Sequence, residues 1–384
     1  MRTDHHMRGR KLLFCSLLLA MGFLTVKMPA LAAGFLMTPS PEEAFGDSDT
    51  NGRLVRYEYE RYRQRLDSID TRSEIEENGF VVMEEQVFPV ILENFGEVFF
   101  VPALDDRYHR LALFFTDADE KVVYKTDQLE ANFMNRGQIT QPVREIAAVS
   151  FQDLNGDGMT DIELIAACVN DTGSYANKRY QIGDVLFGSE KGFFRDWRIS
   201  DKINRFGMNK SIDCITAYVR DQKSTEYLYT ATTLEELQQN GFAIIPEQSY
   251  TREFEKMGKL LVAPGSALIA DFEVFMIYLA DGQGNIVWSF QPMGDHDNLY
   301  ALRGINCRDI DGDGLKDIIV LARYSDALDA GEQQIVSDYA IYYQRTGGFS
   351  EDEEFKKRFV CDENTKMEDL VKAARAYWGW QAEE

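Results

Sequence analysis

Two nonapeptides 156 residues apart, Asp153-Leu-Asn-Gly-Asp-Gly-Met-Thr-Asp161 and Asp309-Ile-Asp-Gly-Asp-Gly-Leu-Lys-Asp317, constrain this chain more than any other feature. In each, oxygen-bearing side chains stand at the first, third, fifth and ninth positions around a glycine at the sixth. These are Asp153, Asn155, Asp157 and Asp161 in the first stretch, and Asp309, Asp311, Asp313 and Asp317 in the second. Ca²⁺ takes roughly six to eight oxygen ligands at about 2.3 to 2.6 Å, and glycine permits the sharp turn that points alternate residues inward. Asp, Asn and Gly also build metal-free turns. A bare turn, however, has no reason to gather three or four carboxylates, whose repulsion costs stability unless a cation offsets it.

The spacing belongs to a longer repeat. Thr71-Arg-Ser-Glu-Ile-Glu-Glu-Asn-Gly-Phe80 matches Thr233-Leu-Glu-Glu-Leu-Gln-Gln-Asn-Gly-Phe242, each a short helix opened by a capping box and closed by Asn-Gly. Glu85-Gln86 and Gly96 return as Glu247-Gln248 and Gly258 at the same shift of 162. Asp117 to Tyr124 answers Asp281 to Trp288, a polar turn between apolar strands in both cases. From the acidic stretches onward the shift is 156, and it holds for Gly192-Phe193 against Gly348-Phe349 and for Asp213 against Asp369. This pattern predicts a tandem duplication.

The apolar periodicities supply the elements. Val55, Tyr59, Tyr62, Leu66 and Ile69 lie on one helix face, as do Ile212, Ile215, Tyr218 and Val219, and Met367, Leu370, Val371, Ala374, Tyr377 and Trp378. Strands are expected at 99–101, 111–115, 146–149, 162–169 and 184–187, with counterparts in the second copy. Each acidic stretch therefore joins two strands, and the continuous apolar run Ile318 to Leu321 marks a strand buried on both faces. The expected fold is β-rich α+β, with two sheet-plus-helix lobes that each carry one acidic loop; the alternative is a distorted β-propeller. The expected organisation is a signal peptide over 1–32, a flexible lead-in over 33–52, repeat 1 over 53–204, repeat 2 over 205–360 and a C-terminal helix over 361–384.

Residues 1–32 combine a basic start with an apolar run from Leu12 to Val26 and end in Ala30-Leu31-Ala32, which reads as a secretory signal cut after Ala32. That run is too short for a membrane-spanning helix, which needs about 20 residues. The signal carries five basic residues and one acidic residue, so the mature chain holds −23 − 4 = −27 charges. Such a balance excludes a nucleic-acid binder. The expected location is extracellular, with no membrane span and a monomeric state. The remaining cysteines, Cys168, Cys214, Cys307 and Cys361, fit no zinc spacing, and free buried thiols are expected rather than a disulfide.

The acidic stretches are not EF-hands, since strands flank them and the twelfth positions are Leu164 and Val320 rather than glutamate. They resemble the FG-GAP or VCBS repeats of integrin-like β-propellers and secreted bacterial proteins: Asp-x-Asp-x-Asp-Gly-x-x-Asp, an apolar strand, then a Gly-Phe turn about thirty residues later. Asp153 to Ile165 with Gly192-Phe193, and Asp309 to Leu321 with Gly348-Phe349, carry that resemblance. It implies two Ca²⁺ sites. One is formed by Asp153, Asn155, Asp157, Asp161 and the carbonyl of Met159, the other by Asp309, Asp311, Asp313, Asp317 and the carbonyl of Leu315. Ligand charge predicts the second to be the tighter.

Catalytic signatures do not stand out. The mature chain has two histidines, His109 and His296, and no nucleophile elbow, His-Glu-x-x-His or phosphate-cradling loop. Asp295-His296-Asp297 reads as a polar loop. The expected function is a secreted, non-catalytic calcium-binding module. Its loops, or the aromatic tail Tyr377-Trp-Gly-Trp380, would contact an extracellular protein or glycan, although for the tail packing back onto the last helix is the favoured reading. A glycan hydrolase using paired carboxylates is the alternative.

Overall fold

The computed structural model describes residues 50–134, 137–170, 179–290, 296, 298–327 and 333–380. The expected signal peptide, most of the expected lead-in, and Asp295 and Asp297 lie outside the described residues. Among the described residues the chain is β-rich, with four antiparallel sheets and helices before, between and after them.

The first sheet comprises β1 (Phe80–Val82), β2 (Phe88–Leu92), β3 (Gly96–Asp105), β4 (Leu111–Thr116) and β5 (Val122–Thr126). Its order is β1-β3-β4-β5, with β2 pairing β3 beside β1. The second sheet is a meander of β6 (Val143–Gln152), β7 (Asp161–Val169), β8 (Arg179–Ser189) and β9 (Gly192–Arg195). The third comprises β10 (Ala243–Ile244), β11 (Tyr250–Phe254), β12 (Gly258–Ile269), β13 (Phe272–Ala280) and β14 (Ile286–Phe290), in the order β10-β12-β13-β14 with β11 on β12. The fourth is the meander β15 (Asn298–Arg308), β16 (Asp317–Ala327), β17 (Gln333–Arg345) and β18 (Gly348–Ser350).

Alternation along the central strands explains how the sheets stack. Every residue of β4 is buried. Leu111, Leu113 and Phe115 meet Ile162, Leu164 and Ala166 of β7 in one core. Ala112 and Phe114 point the other way, onto Tyr59, Tyr62 and Leu66 of helix α1 (Thr50–Asp67) and Ile75 of α2 (Arg72–Glu77). With a side-chain period of two, a strand covered on both faces shows no polar alternation. The same partition recurs in β13, where Phe275, Ile277 and Leu279 face the fourth sheet and Met276 and Tyr278 face helices. The first two sheets thus pack face to face, as do the last two, and helices cover the outer faces.

The outer helices are α3 (Trp197–Arg205) and α4 (Ile212–Val219) on the second sheet, and α5 (Tyr227–Thr230) and α6 (Leu234–Gln239) on the third. On the fourth lie α7 (Glu353–Arg358) and α8 (Met367–Tyr377). The boundary expected between 204 and 205 falls inside one helical layer: Ile203 of α3 and Cys214 and Ile215 of α4 share a core with Val185 and Phe187 of β8. Ile269 of β12 and Phe272 of β13 also join that core, so the third sheet meets the α3–α4 layer as well as its own helices.

The Gly-Phe turns leave no room for a side chain against the ring packed on them. A Cβ on Gly192 would come within 2.2 Å of the Tyr124 ring, and one on Gly348 within 2.2 Å of the Trp288 ring. The adjacent Phe193 stacks on Phe115 at 5.6 Å, and Phe349 lies 5.0 Å from Phe290. The four cysteines among the described residues are free thiols; Cys168, Cys214 and Cys307 are buried and Cys361 is half-buried. No helix among the described residues is long and apolar enough to cross a membrane.

Candidate metal centre

Each acidic loop hangs between two paired strands, β6–β7 and β15–β16, whose last pairs are Gln152↔Asp161 and Arg308↔Asp317. The first-position aspartates shape the turns. Asp153 accepts from the amides of Gly156 (2.7 Å) and Gly158 (2.9 Å), and Asp309 accepts from Gly312 (2.7 Å) and Gly314 (2.9 Å). Asp157 and Asp313, at the fifth position, accept from Met159 and Leu315 at 2.8 Å. The sixth-position glycines have φ of +86° and +82°, a region that penalises any side chain.

The ninth-position carboxylates are the innermost. Asp161 and Asp317 are both fully buried. Asp161 accepts from the amides of Leu154 and Gly188, and Asp317 from Ile310 and Gln344, each at 2.8 Å. Burial pushes the Asp317 carboxyl up to about 7, against the pull of those two amides, with Asp311 and Asp313 adding repulsion. Asp161 is raised for the same first cause.

In the second loop, carboxylate oxygens of Asp309, Asp311 and Asp317 lie within 4.8 Å of one another. Oxygens on opposite sides of one Ca²⁺ are about 5 Å apart, so these three fit a single ion of that size. A carboxylate offers about four lone-pair sites, so the amide bonds leave capacity for a metal. In the first loop the third position is Asn155, which donates to Asp157 at 3.0 Å while its own carbonyl oxygen accepts from the Asp157 amide at 2.9 Å. The equivalent sequence positions of that loop carry the carboxylates Asp153 and Asp161 and the Asn155 amide.

Several side chains that sequence reasoning missed complete the surroundings. Glu93, in the β2–β3 turn, accepts from the Thr160 amide at 2.8 Å, and Glu255, in the β11–β12 turn, accepts from the Lys316 amide at 2.9 Å. Glu255 also pairs with the Lys316 ammonium; burial would raise its pKa, but Lys316 holds it down at about 2. The signal for this pair was available, since each glutamate stands three residues before a repeated glycine, Gly96 or Gly258. Arg345 gave no such signal. Its guanidinium pairs with Asp311 and Asp313, whereas Ser189 stands at the matching place beside the first loop.

The aromatic tail folds back onto the chain. Arg375 donates to the carbonyl of Asp309 at 2.7 Å and lies 4.2 Å from the centre of the Trp380 ring, which covers Gly312. Trp378 packs against Tyr343 at 5.5 Å. His296 stacks on Tyr324 at 4.3 Å and approaches Asp338 at 3.2 Å. His109 contacts Arg144 and takes a φ of +50° in the turn before β4. Neither histidine joins an acidic loop.

The chain matches no protein-family model, no curated protein and no solved structure.

Proposed function

We propose that this chain is a secreted, non-catalytic calcium-binding protein of the FG-GAP or VCBS kind, built as a tandem duplication and serving as a binding or structural module outside the cell. The observation that carries the reading is the convergence of Asp309, Asp311 and Asp317 within 4.8 Å. The innermost of these, Asp317, is buried with no Lys or Arg side chain paired to it among the described residues. A buried anion without a counter-charge is costly, and a bound cation removes that cost. Ca²⁺ would supply charge neutralisation and cross-linking of the loop to β16, not a reactive centre.

The duplication is supported by details that a chance likeness would not reproduce. The bridges Thr71↔Lys121 and Thr233↔Asn285 occupy matching places. So do the Glu93 and Glu255 contacts to the eighth loop residues, and the Tyr124 and Trp288 rings over the Gly-Phe turns. The first loop, with Asn155 in place of a third carboxylate, would bind through the same frame with less charge.

Thermal melting of the purified chain in excess chelator and in millimolar Ca²⁺ tests this reading. At about 1 mM free Ca²⁺ and a dissociation constant near 10⁻⁴ M, mass action gives roughly 1.4 kcal/mol per site, or about 3 kcal/mol for two. The melting temperature should rise by several degrees, and Mg²⁺, with its smaller octahedral shell, should substitute poorly. Superimposable melts would mean that both loops are metal-free turns.

A further inference from the structure

Away from the acidic loops, the surface holds a cleft of about 290 Å³ between α1 and the turn from β3 to β4. Arg61, Tyr62, Gln64 and Arg65 line it from the helix, Ser68 from the turn that follows the helix, and Arg107 and Tyr108 from the β3–β4 turn, and no carboxylate is among the lining residues. On a chain of formal charge −23, three guanidiniums face one concave surface. Gln64 and Arg65 stand three and four residues after Arg61 on the helix, so these three form one stripe.

The cleft is organised from beneath by one buried carboxylate. Asp105, fully buried, receives the Arg65 guanidinium at 2.6 Å and the amides of Arg107 at 3.1 Å and Tyr108 at 2.7 Å. Arg65 also donates to the Asn78 carbonyl at 2.6 Å. Helix and turn are therefore locked in register, and Arg65 is a fixed donor at the back whose charge Asp105 offsets. The other two guanidiniums have weak partners. Arg107 is 59% exposed and reaches only Asp106, at 4.0 Å, while Arg61 lies over the Tyr57 ring at 5.9 Å. A planar guanidinium fork matches an oxyanion in bidentate fashion, and a concave site of one sign focuses its field on such a group. The volume sits near the roughly 300 Å³ lower end of small-molecule clefts, which suits one small molecule rather than a macromolecular face.

We infer that this cleft binds a small soluble oxyanion, presenting a carboxylate, sulfate or phosphate group to Arg61 and Arg107 with Arg65 behind them. The inference stands on this geometry and is independent of the calcium reading.

Calorimetric titration of the full chain with glucuronate, inorganic sulfate and inorganic phosphate, with glucose as the neutral control, tests it and separates the three sources. At least one anion should bind where glucose does not. The exposed double substitution Arg61→Gln, Arg107→Gln should weaken that binding about ten-fold or more, because each lost contact is charge-assisted. It should leave the melting temperature in place. Should the double variant lose its melting transition, salt serves instead: raising ionic strength from about 20 mM to about 200 mM should weaken binding at a partly exposed ion-pair site. Absence of heat with all three anions, equal binding of glucose, or an affinity unchanged by the substitution or by salt would overturn the proposal.

Discussion

The Arg345 guanidinium lies 2.8 Å from Asp311 Oδ2 and 3.2 Å from Asp313 Oδ2, so one basic side chain holds two of the four aspartates of the second loop. Counting carboxylates alone ranks that loop above the first, and Arg345 offsets part of the difference. Replacing it as Arg345→Ser, the residue at the matching place beside the first loop, removes a like charge a few ångströms from the expected ion. With water-rich screening this is worth about 1 kcal/mol, or roughly five-fold in calcium affinity. Calorimetry should find tighter binding at the second loop. Weaker binding would show that Arg345 instead preorganises the carboxylates.

Asn155 offers the converse experiment. Asn155→Asp gives the first loop the same three carboxylates that converge in the second. Calcium affinity at the first loop should rise, while stability in chelator should fall, because the added charge joins Asp153 and Asp161 without an offsetting cation. A variant equally stable in chelator and in calcium would rule out a metal at this position.

Gly312 and Gly156 separate backbone strain from packing. Both have positive φ, +82° and +76°, but a Cβ on Gly312 would meet Trp380 at 3.2 Å whereas nothing lies within 4 Å of one on Gly156. Ala at either position costs about 1 kcal/mol for the left-handed backbone. Gly312→Ala should cost more and should shift Trp380 emission to the red as the ring leaves the loop. Equal costs with unchanged emission would mean that the tail contributes nothing to the second loop.

Buried thiols predict an alkaline loss of stability. Burial pushes Cys168 up to about 12, and Cys214 and Cys307 up to about 11. An unfolded thiol titrates near 8.5, so above that pH the unfolded chain releases protons that the native chain keeps. Stability is intact below about pH 8.5 and falls as pH rises toward 11, by up to about 1.4 kcal/mol per unit for a fully buried group such as Cys168. Urea midpoints across this range should decline, and thiol reagents at pH 8 should modify these three residues only on unfolding. Rapid labelling of Cys168 in the native state would contradict its burial.

Local pattern alone determined much of this protein. Oxygen side chains at alternate positions around Gly158 and Gly314 dictate the acidic turns, because the turn geometry lies within nine residues. The capping box at Thr71 and the N-cap at Thr233, the helix face through Tyr59, Tyr62 and Leu66, and the apolar runs Leu111–Phe115 in β4 and Ile318–Leu321 in β16 likewise follow from patterns that act over a few residues. The tertiary structure decided what those elements meet. That α4 lies with α3 on the second sheet depends on which apolar faces find each other, and the step at residue 204 carries no local mark of it. Arg345 reaches Asp311 from 34 residues away in the chain, and Arg107 joins Arg61 across 46. Contacts of that separation are fixed by strand register and sheet stacking, which set side-chain positions only once the whole core has closed.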